Sequence, residues 1–354
     1  MLYGTKNPHG GDIYGGDITL DFSANINPFG TPEAVREAVC AALDRLDRYP
    51  DPYCRALVAS IAAAENVDGR CVLCGNGAAE LIYAFCRAAA PRTALLTAPT
   101  FLEYAQALEE TGCRCVSYTL RQEDDFVLKA DILDTLADVR PDAVFFCDPN
   151  NPTGCRIDPS LMEEILRRCR EQGTRVFVDE CFADLCDERH SLCPRLEEFP
   201  NLFILKAFTK SYGMAGLRLG YGLSADSALL YAMASAVQPW NVSVPAQAAG
   251  VAALGQQDFL KKTRELIRAE RPRLKSFLES LGWYVCPSQA NFLLFRGPDE
   301  LGERLRRRGV AIRECSNYPG LCEGWYRIAV RQREENDMLM AAIREAAGRD
   351  TPWQ

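Results

Sequence analysis

The sequence predicts an α/β fold in two units, a large one around a mostly parallel sheet and a smaller one of α+β type. Three observations carry this. Short apolar, strand-like runs alternate with amphipathic helical stretches through the middle of the chain, the order that builds a parallel sheet. After Val244 the pattern changes to a long charged helical stretch followed by short strands. The chain has 354 residues, 48% of them hydrophobic and 25% charged, which is ample core material and more length than one compact unit takes.

The elements are expected in this order. A helix begins at Thr31-Pro32-Glu33, with Thr31 as N-cap and Pro32 in the first turn. This N-terminal segment is expected to pack against the smaller unit. Buried strands are expected at 94–98, 114–118, 143–147, 175–178 and 202–205, with helices at 101–111, 129–137 and 159–172 between them. A long helical stretch follows from about 245 to 281. Strands at 284–286 and 291–295, a helix at 299–308, strands at 311–314 and 325–330 and a closing helix at 334–347 complete the pattern. The division is 1–40 for an N-terminal arm and part of the small unit, 41–244 for the large unit and 245–354 for the rest of the small one.

Composition narrows the function. A net charge of -8 gives no general attraction to nucleic acid or anionic membrane, so an anionic ligand would need local positive groups. The first fourteen residues carry no apolar core of a secretory signal, and no apolar run reaches bilayer length. A cytoplasmic location is therefore expected. The sixteen cysteines are scattered through apolar stretches and read as free thiols; Cys71 and Cys74 form a C-x-x-C with no second pair at zinc spacing. With His9 and His190 the only histidines, a histidine metal site or a Ser-His-Asp relay is not expected. No metal is expected.

Three segments follow expected strands, where ligands of such sheets bind. Cys147-Asp148-Pro149-Asn150-Asn151-Pro152-Thr153-Gly154 is a turn rich in prolines and amides. Val178-Asp179-Glu180 ends the next strand. Thr209-Lys210 through Gly216-Leu217-Arg218-Leu219-Gly220 follows the third. A fourth, Gly75-Asn76-Gly77-Ala78-Ala79-Glu80, opens a helix after a strand and offers backbone N–H groups to a phosphate.

In this order the segments resemble the fold-type I pyridoxal-5′-phosphate (PLP) enzymes, the aspartate-aminotransferase superfamily, over essentially the whole chain. The resemblance implies a seven-stranded sheet in the large unit and a small unit built from both termini. It implies PLP held by Lys210 as a Schiff base, Asp179 against the pyridinium nitrogen, Asn151 on the ring's phenolic oxygen and Phe101 stacked on the ring. Gly77, Ala78, Ala79, Thr209 and Arg218 would hold the cofactor phosphate. The roles are chemically coherent. A carboxylate keeps the pyridine protonated as an electron sink, and a desolvated lysine beside Arg218 is more often neutral and nucleophilic.

Within the superfamily the chain is similar to histidinol-phosphate aminotransferases and to the L-threonine-O-3-phosphate decarboxylases of cobalamin biosynthesis. Both share Arg48-Tyr49-Pro50, whose Tyr49 reaches the cofactor phosphate of the other subunit, which implies a homodimer with shared sites. Both carry arginines at the positions of Arg313 and Arg327, for substrate phosphate and carboxylate. His9-Gly10-Gly11-Asp12, Asp21 through Pro28 with Asn25, Pro239-Trp240-Asn241-Val242 and Cys315 through Leu321 look like the decarboxylases. His9 and Asn25 join the substrate-binding candidates, and Lys6 is a further candidate for the phosphate. Phe182 stands where aminotransferases usually have a tyrosine, and the decarboxylases also have Phe. Asp12, Ala79 and Ala207 depart from the patterns. The resemblance thus implies a small phosphorylated amino acid as substrate, decarboxylation with transamination as the alternative, and an amino-alcohol phosphate for a corrinoid as product. A non-catalytic PLP-binding regulator is the rival from another class. The enzyme pattern leaves no stretch for a DNA-binding module.

Overall fold

The computed structural model describes residues 9–14, 16–187 and 191–347, so His190 and the candidate Lys6 lie outside the described residues. The strands are β1 (Leu20–Asp21), β2 (Val72–Gly75), β3 (Thr93–Ala98), β4 (Arg114–Thr119), β5 (Ala143–Cys147), β6 (Arg175–Asp179), β7 (Leu202–Ala207), β8 (Gly220–Leu223), β9 (Tyr284–Val285), β10 (Phe292–Arg296), β11 (Val310–Ala311), β12 (Arg313–Glu314) and β13 (Trp325–Ala329). Seven of them form one sheet in the order β2-β8-β7-β6-β5-β3-β4. Only β8 runs antiparallel to its neighbours. This is the mostly parallel sheet that the sequence predicts.

Its central strands are buried on both faces, as sheets covered by crossover helices are. Register puts Phe145 beside Phe177 and Phe177 beside Phe203, so one face carries a row of phenyl rings with centroids 4.7 and 5.2 Å apart. The alternate positions, Val144, Val176 and Ile204, point into the core on the other face. The helix Pro159–Gln172 has the bounds expected from sequence, because its punctuation is unambiguous. Asp158 accepts from the Leu161 N–H at 3.0 Å, Pro159 occupies the first turn, and Gly173 ends the helix in the left-handed region at φ 72°.

A four-stranded antiparallel sheet, β12-β13-β10-β9, builds the second core with the helix Gln257–Ser280 and the closing helix Arg333–Ala346. Phe22 and Leu20 of the N-terminal segment join that core.

Four expectations are corrected. The stretch expected as one helix from 245 to 281 is two, Val244–Leu254 and Gln257–Ser280, broken at Gly255. The strand expected at 311–314 divides between two sheets, β11 pairing with β1 and β12 with β13. Thr31 is not the N-cap of Glu33–Ala42. Its hydroxyl donates to the Gly213 carbonyl at 2.8 Å, tying the segment to the loop after Lys210. That first helix lies on Val244–Leu254, which the division above gives to the small unit, but both helices bury their apolar residues in the large core, Val35 among them, whereas the chain around Phe22 packs into the small core. The sequence shows an amphipathic helix but not which of two apolar surfaces it meets. No helix among the described residues is long and apolar enough to cross a membrane.

Candidate active site

Loops at the carboxyl ends of β2, β3, β5, β6 and β7 meet the second sheet around a cavity of about 210 Å³. Its lining includes His9, Asn25, Ala78, Ala79, Phe101, Asn151, Asp179, Thr209, Lys210, Arg218, Arg313 and Arg327. Four sequence segments and the N-terminal arm therefore converge on one site. Tyr49 does not line it. That ring is 79% exposed and stacks on Trp240 at 4.6 Å. Asp12, the departure in the arm, is also absent from the lining.

Lys210 follows β7 at the base of the cavity. The N-terminal segment clamps its backbone, the Asn27 N–H donating to the Lys210 carbonyl at 3.0 Å and the Asn27 side chain to the Ser211 carbonyl at 2.8 Å. Burial pulls the amine down from the usual lysine value to about 8, with the Arg327 and Arg218 guanidiniums adding to the shift and Cys181 and Asp179 opposing it. Asp179 ends β6. Its carboxylate accepts from the Cys181 N–H at 2.9 Å and from the Tyr104 hydroxyl at 2.6 Å. Burial raises its pKa and these donors oppose the rise.

Asn151 sits in a turn that Asn150 holds. The Asn150 amide bonds the Thr100 hydroxyl, the Pro99 carbonyl and the Thr153 hydroxyl at 2.9, 3.0 and 3.1 Å. The phosphate-type loop is shaped by close approach. Gly77 has φ +83°, and a Cβ there would come within 2.7 Å of the Arg218 guanidinium. A Cβ on Gly220 would come within 2.7 Å of the Ala78 amide nitrogen. Only glycines allow Arg218 and β8 to lie this near the start of helix Ala78–Ala89, whose first N–H groups have no intrahelical partner.

On the opposite wall, Arg313 and Arg327 are directly paired residues of β12 and β13. Both are buried, at 8 and 5% exposure. Arg313 donates to the Glu314 carbonyl and, at 2.7 Å, to the Asn317 side chain, and lies over the Tyr318 ring. Arg327 donates to Asn151 Oδ1 and to the Ser23 carbonyl at 2.9 Å, leaving Nε buried without a partner. His9 Nε2 lies 2.7 Å from Glu103, and its ring is 5.7 Å from Phe101.

Several of these residues escape the sequence reading. Ser23 and Asn27 belong to a segment singled out there, but only Asn25 was assigned a role. Tyr318 supports Arg313 from within the Cys315–Leu321 motif. Tyr104 reaches Asp179 across 75 positions, and no local pattern signals that.

The family model for aminotransferase class I and II matches residues 17–343. The chain belongs to this family. It is 36% identical over 351 residues to the threonine-phosphate decarboxylase of Salmonella typhimurium, with 96% of each chain covered. It is 35% identical over 339 residues to the histidinol-phosphate aminotransferase of Geobacillus thermodenitrificans, covering 93% of this chain and 90% of that one. The crystal structure of the histidinol-phosphate aminotransferase from Clostridium acetobutylicum superposes with a TM-score of 0.87 at 26% identity, over 93% of this chain and 99% of that one.

PLP is the cofactor of this family. The cavity fits it. Asn25, 2% exposed, has both amide atoms buried without a partner, as expected of a polar wall meant to meet a bound molecule. Arg218, the Thr209 hydroxyl and the start of helix Ala78–Ala89 make a cradle suited to phosphate. The departures persist in the fold: Ala79 and Ala207 line the cavity without a hydroxyl or carboxylate, and Phe182 lies 5.9 Å from the Lys210 amine and edge-on to Phe292.

Proposed function

We propose that the chain decarboxylates L-threonine-O-3-phosphate, or a close relative such as serine phosphate, to an amino-alcohol phosphate suited to a corrinoid side chain. The observation that carries this reading is the Arg313–Arg327 pair. Directly opposed strand residues have Cβ atoms about 5 Å apart, and like charges placed so repel. A short molecule with an acid group at each end offers one anion to each of these buried guanidiniums. Threonine phosphate carries both acid groups in one substrate. Histidinol phosphate has no carboxylate, so the aminotransferase reading would fill the pair with its dicarboxylate co-substrate instead, and the choice between the two leans on the features that follow. The likeness to the Salmonella decarboxylase and the missing hydroxyl at Phe182 support the same choice.

In this reading PLP, when bound, supplies an electron sink for the pair released at the substrate's Cα. Lys210 holds it, Asp179 keeps a proton on its ring nitrogen, and Asn151 donates to its phenolic oxygen. Thr209, Arg218 and the Gly77–Ala79 loop take its phosphate. Arg327 turns its unpartnered Nε and one Nη to the substrate carboxylate as a fork, and Arg313 with His9 takes the substrate phosphate. The walls exclude water while the carboxylate leaves, and the Lys210 amine, in its protonated form, delivers a proton to Cα.

The reading includes a homodimer in which Tyr49 completes the phosphate site of the other copy. Its exposed ring, stacked on Trp240, supports this. Mixed Tyr49→Phe and Lys210→Ala chains should regain part of the activity that each lacks, since one site then has both residues. Proven subunit exchange without rescue refutes sharing.

A second reading, histidinol-phosphate aminotransferase, is favoured by the 35% identity to the Geobacillus enzyme. One experiment separates them. Incubated with threonine phosphate, the holoenzyme should release CO₂ and leave no pyridoxamine phosphate. Turnover of histidinol phosphate with 2-oxoglutarate, and no CO₂ from threonine phosphate, would replace the first reading with the second.

A further inference from the structure

Asp179 has to remain ionised in a place that opposes charge. Burial is the largest influence on its carboxyl and favours the neutral acid. A neutral acid cannot hold a proton on a ring nitrogen, so donors to the carboxylate decide the matter. Cys181 supplies two, its thiol and its backbone N–H on Oδ1. A further donor is the Tyr104 hydroxyl, 2.6 Å from Oδ2, on the helix Glu103–Glu109.

Tyr104 has no exposed surface. It packs among Phe145 and Phe177, with ring centroids 5.8 and 5.9 Å away, and edge-on to Phe101 at 5.6 Å. Packing alone would be served by a fifth phenylalanine in a cluster that already holds Phe85, Phe145, Phe177 and Phe203. A buried hydroxyl costs free energy unless it is bonded. Here it stands where the carboxylate is. Burial and the neighbouring carboxylate drive its own pKa far up, so it stays a donor at every working pH.

We propose that Tyr104 is a positioning residue for the cofactor: its hydroxyl holds Asp179 as the carboxylate that keeps the ring nitrogen protonated, and its ring braces Phe101 on the cofactor's face. The inference rests on the reading above that Asp179 meets that nitrogen. Without the hydroxyl, Asp179 becomes more basic, and the shared proton moves from the ring nitrogen to the carboxylate. The electron sink is then weaker, while the substrate-binding arginines are untouched.

The test compares Tyr104→Phe with Tyr104→Leu, each loaded with ¹⁵N-labelled PLP and observed before substrate is added. The phenylalanine variant should retain the wild-type melting temperature to within a few degrees. Its ring-nitrogen resonance should move toward that of neutral pyridine. Its kcat should fall about tenfold while KM changes less than about twofold. The leucine variant should in addition lose cofactor affinity, which phenylalanine restores. If the phenylalanine chain does not accumulate, 3,5-difluorotyrosine at position 104, a stronger donor of nearly the same shape, should move the resonance the opposite way. A phenylalanine or difluorotyrosine protein with the wild-type resonance and kcat assigns Tyr104 to packing and overturns the proposal. A wild-type protein that binds no PLP, or binds it on another lysine, overturns instead the reading on which the proposal rests.

Discussion

Asn151, Asp179 and Lys210 stand at or just beyond the ends of three adjacent parallel strands, whereas Arg313 and Arg327 stand on a two-residue strand and its antiparallel neighbour in another sheet. The first group inherits its spacing from the sheet, about 4.8 Å from strand to strand. Its side chains are short, except for Lys210, whose backbone Asn27 clamps. The arginines are long side chains: Arg327 is held by the Asn151 side chain and the Ser23 carbonyl, and the contacts of Arg313 include the Glu314 carbonyl and the Asn317 side chain. Neutral partners give way to an anion more readily than a carboxylate does. The cofactor end is thus set by the frame, while at the substrate end Arg327 can exchange neutral partners for an anion.

That contrast can be broken most severely at Lys210. Lys210→Ala should lower turnover by more than about a thousandfold, with PLP still bound noncovalently through the phosphate cradle. Borohydride should then no longer fix the cofactor to the chain, and fixation on another lysine sinks the assignment.

The substrate end should respond in two distinguishable ways. Arg327→Ala should reduce kcat/KM on the order of 100-fold for threonine phosphate and for threonine alike, because both present the carboxylate. Arg313→Ala should cost roughly 10- to 100-fold with threonine phosphate and little with unphosphorylated threonine. Equal losses with both substrates would remove the division of labour between the two strands.

The smallest effect sharpens the electrostatics of the cofactor end. With the Lys210 amine near 8, capture of PLP by the apoprotein should quicken about tenfold between pH 6 and 7 and level off above about 8.5, since only the neutral amine attacks. The same shift makes the unfolded chain bind more protons than the native one between about 8 and 10.5, so the lysine's contribution to apoprotein stability should rise with pH across that window. Stopped-flow absorbance and melting curves measure the two. Capture already at its plateau by pH 7 would contradict a burial-controlled amine.

The parts of the site that were legible in the sequence share one property: each follows a strand whose buried run is readable by itself. Asn151 follows Ala143–Cys147, Asp179 closes Arg175–Asp179, and Lys210 follows Leu202–Ala207, so strand order and a few loop residues locate them. The helix Pro159–Gln172 was legible for the same reason, its cap and its terminal glycine being local.

What the tertiary structure alone decided lies in contacts between distant segments. Ser23 meets Arg327 across 304 positions, Asn27 meets Lys210 and Ser211 from the other end of the chain, and Tyr104 meets Asp179 across 75. The break at Gly255, the split of 310–314 between two sheets and the packing of the first helix on the large core are of the same kind. Periodicity and turn chemistry act over a few residues and show in the sequence. Which of two apolar surfaces a helix covers, and which carboxylate a buried hydroxyl finds, depends on the free energy of burying polar and apolar groups together, and that is settled only when the whole core closes.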